Sequence, residues 1–328
     1  MHPALSIIVF TVSSGAGYGL LALLGVLAAI GRLPSGTVFA ATALGLALAL
    51  ITLGLMSSTL HLGRPERAWR ALSQWRSSWL SREGVAALAT YLAVLPFAFG
   101  WLFAEDGGAV TLRLEPTFAA AAIATTVLSL LTLGCTAMIY ASLTPVHQWN
   151  SRWVPANYLA LGLMTGALWL NALMALFGVP QVSVLGIAVL AIAVAWPLKL
   201  AYWRFIDSTQ ARSSPESATG LGSFGSVRLL DPPHTEENYL QKEMGFQIAR
   251  KHASRLRAIT VAAGFGAPLA LLLVTLLLEL TSAMPGWAGA LLGLLAALLA
   301  SAGVLIERWL FFAEARHTVT LYYGATAA

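Results

Sequence analysis

Eight stretches of mostly apolar residues, each about 20 residues or longer, take up most of this chain. They lie near residues 5–30, 38–60, 84–103, 118–143, 156–177, 182–203, 258–280 and 287–312. A helix of about 20 apolar residues is what the hydrocarbon core of a bilayer demands. Lipid offers no partner to backbone polar groups, so each segment must satisfy its own. The runs are too long and too evenly apolar for the alternating strands of an outer-membrane barrel. The fold class is therefore an all-α integral membrane protein, a bundle of eight transmembrane helices forming a single polytopic domain over residues 1–328. With 58% hydrophobic and 10% charged residues, the composition excludes a water-soluble domain. Eight spans leave little room for a separate catalytic domain. The first run is longer than a signal-peptide core and lacks a basic flank, so it is expected to be a retained helix.

An even number of spans puts both termini on one face, together with the loops at 60–84, 144–155 and 204–257. Fifteen of the 19 Lys and Arg residues fall on that basic face, against Arg32 and Arg113 on the other, with Lys199 and Arg308 near span ends. The positive-inside rule makes the basic face, and so the termini, cytoplasmic. A competing reading is that these charges dock an acidic partner. All 6 histidines lie at or beyond the basic edge, so no facing pair of axial ligands is expected inside the bundle, and no haem. The sole cysteine, Cys135, sits within the fourth run; one thiol holds neither an iron–sulfur cluster nor an internal disulfide, and no metal site is expected. Charge is also absent from mid-membrane, which argues against a transporter with a charged central site. The net charge of +5 borders a bilayer and carries no nucleic-acid signal.

The most unusual stretch runs from His61-Leu62-Gly63-Arg64-Pro65-Glu66-Arg67-Ala68-Trp69-Arg70 to Gln74-Trp75-Arg76-Ser77-Ser78-Trp79-Leu80-Ser81-Arg82-Glu83. Trp and Arg are common at membrane interfaces, where they meet headgroups. Its two ends carry more. His61 closes the second run and Glu83 opens the third, so a helical hairpin would hold an imidazole and a carboxylate at one depth. Such a pair can accept two protons from a lipid-soluble substrate as it is oxidised. The alternative is that Glu83 only stabilises the start of its helix. Arg64, Arg76 and Arg82 are candidates for shaping the same pocket, or for orienting Glu83 through a bidentate pair.

The segment from His61 to Glu83 resembles the signature of the membrane anchor subunit of dimethyl sulfoxide reductases, within the complex iron–sulfur molybdoenzymes. Two further stretches match in kind. They are His2-Pro3-Ala4 leading to Ser13-Ser14-Gly15-Ala16-Gly17-Tyr18-Gly19, and Arg228-Leu229-Leu230-Asp231-Pro232-Pro233-His234-Thr235 with Asn238-Tyr239-Leu240 and Glu243-Met244-Gly245-Phe246. The resemblance implies an anchor in the bacterial inner membrane that oxidises quinol, typically menaquinol, and carries no haem, cluster or metal. Its implied partners are a four-cluster iron–sulfur subunit and a molybdopterin-containing catalytic subunit. The functional histidine and glutamate of the family fall on His61 and Glu83.

The Gly15–Gly19 run has no preceding strand and is not a nucleotide loop; small residues there permit close helix packing, while Ser13 and Ser14 offer a polar lining for a quinone headgroup. The loop 204–257 is expected to be flexible over 208–226 and helical from Thr235, with Arg250 and His252 among possible docking contacts for the iron–sulfur subunit. Two other classes stay open: a secondary transporter, and a structural anchor whose quinol site is lost.

Overall fold

The computed structural model describes residues 4–60, 62–103, 116–209, 213–231, 236, 251–281 and 285–326. His2, His61, Arg113, His234, Thr235 and Arg250 lie outside the described residues. Eight long apolar helices are present among those described: α1 (Leu5–Ala29), α2 (Thr37–Thr59), α3 (Trp79–Leu102), α4 (Pro116–Ala141), α5 (Trp153–Leu176), α6 (Val182–Ser208), α7 (Ala253–Leu280) and α8 (Gly286–Ala313). Pro96 and Pro197 sit inside α3 and α6 without ending them, as neighbouring helices in a membrane bundle allow. In α7, residues Ala262–Gly266 form a single π turn.

Two groups of four helices share one order of neighbours. In the first, α1 packs on α2 and α4, α3 packs on α4, and α2 barely meets α3; in the second, α5, α6, α7 and α8 repeat this arrangement in turn. The halves join through α1 and α5, which are the most enclosed helices, with 78% and 67% of their apolar windows buried. Ile8 near the start of α1 packs in one cluster with Val146, Trp149, Phe311 and Ala315, so the beginning of the first helix and the end of the last lie at the same end of the bundle.

Glycine makes the α1–α5 contact possible. A Cβ at Gly19 would lie 1.9 Å from the Gly162 carbonyl oxygen, and one at Gly166 would lie 2.3 Å from Gly19. The small residues of α1 thus serve helix packing. Gly19→Ala is expected to lower stability by roughly 1–3 kcal/mol or more, because two backbones must part. Gly15→Ala, with nothing within 4 Å of its Cβ position, is expected to be tolerated; thermal unfolding in detergent separates the two.

The structure moves several boundaries from those read in the sequence. α3 begins at Trp79, capped by Ser78, whose hydroxyl accepts from the Ser81 amide. Glu83 is therefore one turn inside the helix rather than at its mouth. α6 continues to Ser208 and α7 starts at Ala253, which shortens the extramembrane connection at both ends. Within that connection residues 213–226 are ordered, contrary to the flexibility expected from their Ser and Gly content. A helical turn, Pro215–Thr219, carries a capping box from Ser214, and Glu216 accepts from the Val227 amide. That backbone donor holds the Glu216 carboxyl below its usual range.

The C-terminal segment folds back over this connection and over the α4–α5 loop. The Thr318 amide donates to the Pro145 carbonyl, and the Tyr322 hydroxyl donates to the Ala218 carbonyl. His317 Nδ1 accepts from the Val319 amide, capping the 3-10 turn Thr318–Tyr323. Burial lowers the affinity of this imidazole for a proton, so the folded segment binds fewer protons than the unfolded one. Its stability is then full above the ordinary histidine range near 6.5 and falls as pH drops below it. Between about pH 7.5 and 5.5, the protection of the amides of 318–323, taken relative to the intrinsic exchange rate at each pH, is expected to fall by the worth of one capping bond, about 1 kcal/mol. His317→Ala should abolish that pH dependence.

Candidate functional site

The carboxyl of Glu83 is 5% exposed and turns inward, into the α3–α4 interface. There the Thr136 hydroxyl donates to Glu83 Oε1. Thr136 heads a stripe on α4 in which Thr125, Ser129, Thr132 and Thr136 all face inward and are buried. The spacing of four, three and four residues places these hydroxyls on one side of a helix. Thr90 of α3 continues the polar row, 3.2 Å from Thr132. Toward the opposite face the stripe meets an aromatic block of Phe97, Trp101 and Phe118.

The loop that precedes α3 closes over this centre. Residues Pro65–Gln74 form a 3-10 segment that packs on α3, with Arg64 exposed at its start. The Ser81 hydroxyl donates to the Ala71 carbonyl. Arg82 does not pair with Glu83: its Nε and Nη2 donate to the Trp75 and Arg76 carbonyls at 3.0 and 2.7 Å, and its guanidinium stacks on Trp79. Arg76 is exposed and lies over the Trp75 ring. Arg82 therefore ties the end of the loop to the start of α3, an arrangement set by two backbone carbonyls that residue types alone do not reveal. Trp69 and Trp75 are exposed on the outer side of the loop, at 68% and 50%.

On α1, Ser14 is buried with its hydroxyl donating to the Phe10 carbonyl at 2.6 Å, and its backbone and Cβ lie against Gly54 of α2. Ser13 is half-buried. Neither is brought next to Glu83 by a described contact. Cys135 is a buried free thiol on α4. His252 stands at the start of α7 and makes no side-chain cap there. Among the described residues, no group of three or more His, Cys, Asp or Glu residues is placed to hold a metal ion.

The sequence reading missed Thr136 as the partner of Glu83, although the 125, 129, 132, 136 spacing was there to be counted. It also placed Lys199 and Arg308 near span ends, where long side chains can reach water. In the structure Lys199, Glu307 and Arg308 are 1%, 0% and 3% exposed and enclosed by α5, α6 and α8.

Fold and site together define a polytopic membrane protein with a buried acidic centre at one edge of the bundle. Residues 1–324 match the family model of the DMSO reductase anchor subunit (DmsC), and the chain belongs to that family. Among curated relatives, a sulfite dehydrogenase subunit of Allochromatium vinosum is 35% identical over 338 residues, an alignment that takes in 100% of both proteins. A component of the anaerobic dimethyl sulfoxide reductase of Escherichia coli is 32% identical over 149 residues, or 43% of this protein and 49% of that one. No solved structure matches the chain. As a membrane anchor of this family, it works with catalytic and iron–sulfur partner subunits.

Proposed function

We propose that the chain is the quinol-oxidising anchor of a respiratory molybdoenzyme complex in the bacterial inner membrane, with its termini cytoplasmic. Menaquinol enters from the bilayer near the basic edge. Its two hydroxyl protons pass to Glu83 and His61, and its two electrons leave one at a time to a four-cluster iron–sulfur subunit and on to a molybdopterin-containing subunit. The observation that supports this most is the Glu83 carboxyl, enclosed one turn inside α3 and held by the Thr136 hydroxyl. A buried carboxylate is costly and is kept in membrane spans chiefly where protons or substrates move. Its position in the family motif, after the Arg/Trp loop, supports the same reading. Because the 65–74 segment packs on the start of α3 over the carboxyl, the headgroup reaches Glu83 by displacing that cover.

A second reading reverses the electrons. The relative that aligns over its whole length is a subunit of a sulfite dehydrogenase, and a sulfite-oxidising complex would deliver electrons into quinone, with His61 and Glu83 supplying protons. The assembled complex in native membranes decides between them. Quinol-driven reduction of an S-oxide supports the first reading, and sulfite-driven reduction of quinone supports the second. Loss of neither activity on substitution of Glu83 removes both.

A further inference from the structure

The segment that covers Glu83 is held in a way that favours its release. Residues Pro65–Gln74 run in 3-10 geometry without one buried residue. Helices of this kind have poorer hydrogen bonds than α-helices and are uncommon beyond three or four residues. Segments with few buried contacts open at low free-energy cost. The outer side of this one carries Trp69 and Trp75, 68% and 50% exposed, with the Arg70 and Arg76 guanidinium groups over their rings at 5.6 and 5.4 Å. Indole and guanidinium groups both suit the headgroup layer, so that side keeps a suitable medium when the segment lifts.

The contacts that hold the segment down come from the residues flanking the acid. Before Glu83, the buried Ser81 hydroxyl donates to the Ala71 carbonyl. Arg82 Nε and Nη2 donate to the Trp75 and Arg76 carbonyls at 3.0 and 2.7 Å, and its guanidinium lies 4.2 Å from the Trp79 ring centroid. After Glu83, Gly84 lets Leu72 settle against the helix, since a Cβ there would lie 2.9 Å from Leu72 Cδ2. The charge of Arg82 is thus directed at backbone carbonyls of the segment and at a ring, not at the carboxylate beside it. Ser78 caps α3 through the Ser81 amide, so the segment can lift without unwinding the turn that carries Glu83.

We propose that Arg82 and Ser81 are positioning residues of the quinol site: they latch the segment over Glu83, and a quinol headgroup binds only when the latch is released. The proposal rests on the reading of Glu83 as the group that exchanges protons with quinol. The closed form shields the acid, and the open form admits the ring. Because quinol binds the open form, its apparent affinity is reduced by the fraction of complexes that are open. A weaker latch raises that fraction, so it speeds and tightens binding. Damage to a binding pocket does the opposite, and this difference in sign separates a latch from a structural support.

The test uses the assembled complex and a fluorescent hydroxyquinoline N-oxide analogue of quinol, with association followed by stopped flow. Arg82→Gln removes two charged hydrogen bonds and is expected to raise the association rate and lower Kd about tenfold or more. Arg82→Lys keeps the charge but loses the fork that spans two carbonyls, and should fall between the wild type and Arg82→Gln. Ser81→Ala removes one hydroxyl and leaves every charge and the Ser78 cap in place, so it reads the latch even where Arg82→Gln disturbs the loop. It should speed and tighten binding roughly three- to tenfold. The KM for quinol is expected to fall in the same order, with dye-driven activity of the catalytic subunit unchanged. Binding that neither quickens nor tightens in Ser81→Ala and Arg82→Gln, alongside an impaired Glu83→Gln, would overturn the latch and leave the quinol site standing. Normal quinol turnover in Glu83→Gln would overturn both.

Discussion

Glu83→Gln is expected to lower quinol-dependent turnover of the assembled complex by about a hundredfold or more, the range over which a positioned proton acceptor acts. Glutamine has nearly the same shape and still offers an oxygen to the Thr136 hydroxyl, so the α3–α4 interface should survive. What it lacks is a group that can take a proton. Activity of the catalytic partner driven by a soluble dye, which bypasses the anchor, should be unchanged. Thr136→Val should act in the same direction but more weakly, since it removes a positioning hydrogen bond and leaves the acid in place. If both variants instead reduce assembly and leave turnover per complex unchanged, the buried carboxyl is a packing element and the proton-accepting role is lost.

Much of the fold was legible because the bilayer imposes a length. Eight runs of apolar residues count out eight helices whatever their neighbours are, and α1, α2 and α6 begin within a residue of where hydropathy puts them. The start of α3 was not legible in that way. Trp79–Glu83 is too polar to read as a span, yet the Ser78 cap and the carbonyls bound by Arg82 carry the helix five residues further. The acid of the site stood out through its motif, but its partner did not. Nothing local ties Glu83 to Thr136, 53 positions away; only the packing of α3 on α4 does. The same holds for Lys199 and Glu307, 108 positions apart. Lys199 looks like a snorkelling end residue in the sequence, and only the fold shows that it and Glu307 neutralise each other out of reach of water.

That pairing has an unequal consequence for stability. Glu307→Leu leaves Lys199 and Arg308 as two buried cations with no anion between them, and is expected to cost about 3–5 kcal/mol. Lys199→Met leaves Glu307 beside Arg308 at 3.3 Å, a neutral pair, and should cost roughly 1.5–3 kcal/mol, the worth of the charged hydrogen bond it removes. In Lys199→Met/Glu307→Leu the only remaining cation is Arg308, already stacked on Tyr158, so the double variant should be more stable than Glu307→Leu alone. Unfolding in mixed detergent, read as a double-mutant cycle, measures the coupling. Equal losses for the two single variants would mean that the three charges do not act as one cluster.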